Sequence, residues 1–82
     1  MISAKQIRAA RVFLEWEQRD LAERSGLSLP TIQRMEKMGV ERSSAANAAK
    51  LQRTLEEGGV EFIPENGGGA GVRLRKVREG EG

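Results

Sequence analysis

Apolar positions recur at helical spacing over about the first sixty residues, then alternate one in, one out. Ile7, Ala10 and Leu14 share one side of a helix predicted over residues 3–14. Ser3 and Gln6 stand at the spacing of a capping box and open it. Leu21 and Ala22 wedge one side of a short second helix, 18–25. Ser25-Gly26-Leu27-Ser28 then breaks the period. Gly26 takes positive φ without a Cβ penalty. Ser28 suits the cap of the next helix, and Pro30 falls in its first turn, where a missing N–H costs nothing. In that third helix, 29–37, Ile32, Met35 and Glu36 share a side. Leu29, Pro30, Gln33, Arg34 and Lys37 fall elsewhere, free to meet something outside the protein. Gly39 ends it, and Val40–Arg42 form a short connection. Ser43 or Ser44 caps a fourth helix, 44–57, whose buried face is Ala48, Leu51 and Leu55 with Ala45 or Thr54 beside it. Gly58-Gly59 stops that helix.

The period now changes. Val60, Phe62 and Pro64 alternate with Glu61 and Ile63, and Val72–Val77 alternates apolar and basic residues. Strand, glycine-rich loop, strand predicts a β-hairpin over residues 60–77, with a disordered tail at 78–82. The loop ENGGGAG lacks the Lys-Ser/Thr end of a nucleotide-binding loop, and no helix follows to aim a dipole at phosphate, so a turn is expected. The expected fold is mainly α: a four-helix unit, 1–59, followed by a C-terminal hairpin.

Two charges sit on apolar stripes, Arg11 in the first helix and Glu36 in the third. Either one buried alone costs several kcal/mol, so the two are expected to meet as a structural ion pair. Trp16, just past the first helix, is read either as a stacking surface for a base or partner, or as a lid over the corner between helices one and two.

A helix, a glycine turn and a second helix with a dressed outer face make a helix-turn-helix. The run QRDLAERSGLSLPTIQRME resembles the DNA-binding unit of the phage-repressor-like (XRE-type) transcription regulators. The matching residues are Gln18, Leu21-Ala22, Gly26, Leu27-Ser28, Thr31-Ile32 and Glu36, with Ala10-Arg11 upstream. The resemblance covers about three-quarters of the chain. It implies a phage-repressor-like fold and an Arg11–Glu36 pair, and similar small regulators carry a GVEFIPENGGG-like stretch after the last helix. Two positions depart from the pattern: Glu15 stands where a glycine usually ends the first helix, and Glu17 where a Ser or Thr usually caps the second.

Composition narrows the chemistry. The 82 residues allow one domain, small enough to gain from a partner subunit. Cysteine and histidine are both absent, which removes disulfides, thiolate metal sites, the usual general base and the Ser-His-Asp arrangement. No cofactor and no metal are expected, and an enzyme is not. No stretch approaches the ~20 apolar residues of a membrane span, so the expected location is cytoplasmic. Net charge is only +2, but residues 1–60 hold the surplus of Lys and Arg, which suits phosphate contact.

The expected function is recognition of double-stranded DNA in regulating transcription, with the third helix in the major groove. Leu29 and Pro30 would meet thymine methyls, Arg34 guanine, and Gln33 adenine or a phosphate. Ser28, Thr31, Lys37, Arg19 and Arg42 are further DNA-side candidates. Gln18 and the N–H groups of the second helix would grip phosphate. A homodimer would read two half-sites, joined through the hairpin by Val60, Phe62, Ile63, Val72 and Leu74. The rival expectation is a protein-binding module of the same fold, docking on RNA polymerase or on a toxin.

Overall fold

A computed structural model describes residues 2–65 and 67–75. In order, the elements are α1 (Ala4–Phe13), α2 (Gln18–Ser25), α3 (Leu29–Met38), a 3-10 turn (Val40–Arg42), α4 (Ala45–Gly58), β1 (Val60–Ile63) and β2 (Gly71–Leu74). The fold is thus mainly α with a C-terminal two-stranded hairpin, and the helix bounds lie within a residue of the expected ones.

Local chemistry explains each helix end. Ser3 Oγ accepts the Gln6 N–H at 3.1 Å and Gln6 Oε1 accepts the Ser3 N–H at 2.9 Å, a closed capping box on α1. At the far end, the Trp16 N–H reaches the Arg11 carbonyl at 2.9 Å and the Glu15 N–H reaches that of Val12 at 3.0 Å. This pair of bonds is a Schellman motif, and it forces Glu15 to φ 58°. A glutamate therefore occupies the left-handed position that a glycine fills without steric cost. At the start of α2, Asp20 reaches back as the third helical residue of a capping box does: its Oδ2 accepts the Glu17 N–H at 2.8 Å. Gly26, at φ 80°, ends α2. Ser28 Oγ accepts the Thr31 N–H at 3.3 Å and opens α3, and Ser44 does the same for α4 through the Asn47 N–H.

The core is aliphatic. Ile7, Leu21, Ile32, Met35, Val40, Leu51, Leu55 and Val60 are fully buried, drawn from every helix and from β1. Trp16 is half-buried over this cluster and lies against Gly58 of α4, where an added Cβ would stand 2.6 Å from its ring. The Arg24 guanidinium lies over the indole, 4.3 Å from the ring centre. Of the two readings of Trp16, its position is that of the lid.

The hairpin is antiparallel, with Val60 opposite Leu74, Phe62 opposite Val72 and Ile63 opposite Gly71. One face carries Val60, Phe62 and Val72 onto the helical core. The other carries the exposed Glu61–Arg73 ion pair. A side chain from α1 fastens the hairpin: Gln6 Nε2 donates to the carbonyls of Gly71 at 2.9 Å and Ile63 at 3.4 Å. In the connecting loop, the Glu65 carboxylate accepts the N–H groups of Gly69 and Ala70 at 3.1 and 3.0 Å. The strand expected over 72–77 is Gly71–Leu74, with Arg75 still bonded to the Gly59 carbonyl at 2.6 Å. Residues 76–77 and the tail at 78–82 lie outside the described residues.

This packing corrects the expected dimer contact. Val60 is fully buried in its own chain's core, and Phe62 and Val72 pack against it. An isolated hairpin is marginal in water, and docking on helices is how this one gains its hydrophobic support. Of the five residues assigned to a partner, only Ile63 and Leu74 are outside that core.

Candidate nucleic-acid interface

The helix-turn-helix consists of α2, the Gly26–Ser28 turn and α3. Ile32, Met35 and Glu36 turn inward and are buried. Pro30, Gln33, Arg34 and Lys37, at i, i+3, i+4 and i+7, form one exposed outer stripe. Among the described residues, the side chains of Gln33, Arg34 and Lys37 make no hydrogen bond or ion pair. Three polar or cationic side chains therefore stand on a single helical face, committed to nothing inside the chain. Ser28 and Thr31 flank the start of this stripe, and their hydroxyls bond each other at 2.8 Å.

What holds the stripe in place is charge. Arg11 Nη2 meets Glu36 Oε1 at 3.0 Å and Arg11 Nε meets Glu36 Oε2 at 3.1 Å, a two-pronged contact between α1 and α3. Gln18 Nε2 adds a third donor to Glu36 Oε1 at 3.2 Å. The Glu36 side chain is 4% exposed and that of Arg11 19%. Removing one partner of such a pair leaves a charge desolvated without compensation, at ~3–5 kcal/mol. Arg11 Nη1 also reaches the Trp16 carbonyl at 3.2 Å, so α1, the corner before α2 and α3 share one guanidinium. Arg8, which the sequence gave no reason to single out, donates to the Glu36 backbone carbonyl and ties α1 to α3 a second time. Its only advance signal is its place three residues before Arg11.

Two expectations change here. Leu29 is half-buried and packs against the core, so it does not stand in the outer stripe. It sits at the edge of the buried arc of α3, one turn before Ile32 and Gln33, and burial recovers its side-chain transfer energy. The Gln18 carboxamide is turned inward onto Glu36, away from any external phosphate. At the start of α2 the Glu17 N–H is taken by the chain's own Asp20 carboxylate. Arg19 in α2 and Arg42 in the 3-10 turn are exposed.

Among the described residues, no group of acidic side chains is placed to hold a metal ion. A hollow of about 470 Å³ between α1, α4 and the hairpin is lined by Ile2, Gln6, Gln52, Phe62, Pro64, Glu65 and Ala70. Its one ionisable side chain is Glu65, whose carboxylate is held by the loop. Among the described residues, no helix is long and apolar enough to cross a membrane.

Comparison with known proteins bears on the same segment. A search of curated proteins finds no match. A family model described as helix-turn-helix, of the XRE kind, matches residues 7–62, from α1 through β1. That match spans the Arg11–Glu36 clamp, the Gly26 turn and the outer stripe of α3, and it covers most of the chain. The family is one of DNA-binding regulators and not of enzymes. The chain belongs to the XRE-type helix-turn-helix family.

Proposed function

We propose that this protein is a sequence-specific, double-stranded-DNA-binding transcription regulator of the cytoplasm that docks α3 in the major groove and acts as a homodimer on two half-sites. The observation that carries the reading is the outer stripe of α3, exposed and uncommitted while the opposite face of the same helix is clamped by Arg11. Arg34 has the geometry to bond two acceptors of one guanine. The Pro30 ring offers an apolar surface to a thymine methyl, and Gln33 pairs with adenine or with a phosphate. Ser28, Thr31, Lys37, Arg19 and Arg42 contact the backbone, fixing register without reading sequence.

Selection on random duplexes at two salt concentrations tests this. One enriched motif is expected, with affinity falling as salt rises. Arg34→Ala should cost ~1–3 kcal/mol, or about 5- to 150-fold, on that motif and relax the preference at one base pair. Lys37→Ala should weaken all duplexes alike. If Arg34→Ala and Gln33→Ala leave binding untouched, or no motif is enriched, the fold is serving a protein partner such as RNA polymerase or a toxin.

A further inference from the structure

The junction between the helices and the tip of the hairpin is hollow. The space of about 470 Å³ between α1, α4 and the end of β1 falls within the ~300–1,000 Å³ of small-molecule pockets. A second hollow, about 430 Å³, shares Gln6, Glu65 and Ala70 with it and reaches Ser3, Ala9 and Val72. The walls of the first are apolar, made by Ile2 and Phe62 with Pro64 and Ala70. Its polar groups are of two kinds. The donors are mostly used inside the chain: Gln6 Nε2 donates to the carbonyls of Ile63 and Gly71, and Gln52 Nε2 donates to Glu56. Acceptors remain. Each Glu65 carboxylate oxygen takes one loop N–H, from Gly69 or Ala70, and keeps a further lone pair. Among the described residues, Gln52 Oε1 accepts no hydrogen bond.

We propose that this hollow binds a small primary amine with a flat apolar body, the body against Ile2, Phe62, Pro64 and Ala70 and the ammonium on Glu65 and the Gln52 amide oxygen. An ammonium has three donors and no acceptor. That suits a lining with acceptors to offer and few donors. Glu65 is the one ionisable side chain of the hollow, so the same group attracts a cation and repels a carboxylate. Two backbone N–H groups fix its carboxylate without removing the charge, so the acceptor is ordered before a ligand arrives. A ligand here touches the start of α1, α4, β1 and the connecting loop at once. Binding therefore holds the hairpin against the helices and stabilises the folded chain by mass action. No residue of α2 or α3 lines the hollow, and the inference rests on neither the DNA reading nor the homodimer reading.

Tryptamine is the probe, a flat apolar ring system carrying one ammonium. Indole-3-acetate, the same ring system with a carboxylate, is its control. Titrated into the full chain at millimolar concentration, tryptamine should shift the amide NMR signals of Ile2, Phe62 and Ala70, leave those of α3 in place, and raise the thermal midpoint. Indole-3-acetate at the same concentration should do neither. Glu65→Gln exchanges a charged acceptor for a neutral one and should weaken tryptamine binding about tenfold. That change also touches the loop, so Ala70→Leu is the second variant. It fills the hollow from an exposed position and keeps the carboxylate. It should abolish the shifts while the helical circular dichroism stays unchanged. Equal shifts from the two probes, tryptamine shifts that map elsewhere, no shift at all, or undiminished binding to either variant would each overturn the site. None of these outcomes touches recognition by α3, which the duplex selection reads separately.

Discussion

Glu15 shows how a single position departs from its local preference. The Schellman bonds that end α1 need a left-handed residue, and a glutamate there has φ 58°. The cost of a Cβ in that region is ~1–2 kcal/mol, offset in part by the greater unfolded-state freedom of glycine. Glu15→Gly should therefore stabilise the chain by about 0.5–1 kcal/mol, raising the thermal midpoint by a few degrees; an unchanged or lower midpoint would mean that the glutamate side chain compensates. This site was legible, because the glycine expected at the end of the first helix is conspicuous by its replacement. Leu29 was not. An apolar residue one step outside a buried arc belongs to either side, and only the angle at which α3 meets the core decides. Gln18 failed for a related reason: its partner Glu36 lies 18 residues on, and no local pattern says which donor will reach it.

At the scale of elements, the breaks were readable and the docking was not. Ser3, Gly26, Ser28 and Gly39 announce helix ends because caps and left-handed turns are satisfied within a few residues. The hairpin was also readable from its alternation. Which of its faces would be covered was not, since that depends on contacts such as Gln6 to Gly71, 65 residues apart. Gln6 carries both kinds of information. Its carbonyl oxygen closes the α1 cap, and its amide nitrogen holds the ends of both strands. Gln6→Glu separates the two roles, since it keeps an acceptor for Ser3 and loses the donor. A carboxylate would then face two carbonyl oxygens at the same site. The expected outcome is faster hydrogen exchange at the β1 and β2 amides, with α3 and α4 amides little changed. Uniform acceleration across the chain would show instead that the hairpin and helices unfold as one unit.

For the whole molecule, the helical unit carries the α3 stripe, and the hairpin is fastened to it through Gln6. In the proposed homodimer the two α3 stripes stand at one separation, and two half-sites must match it. Preferred half-sites should lie about one helical turn apart, 10–10.5 base pairs centre to centre. Inserting about half a turn between the half-sites of a selected motif should reduce affinity to that of a single half-site. Equal affinity at both spacings, measured by fluorescence anisotropy, would place the two units on independent tethers. The carboxylates at the head of α2 add a further consequence. Asp20 accepts the Glu17 N–H at the start of α2, and if α2 lies along the DNA backbone in the proposed docking, both carboxylates repel every duplex by the same amount whatever its letters. Such a penalty leaves the ratio between right and wrong sites intact while shortening the stay on wrong ones. A regulator built this way gives up grip in order to search faster.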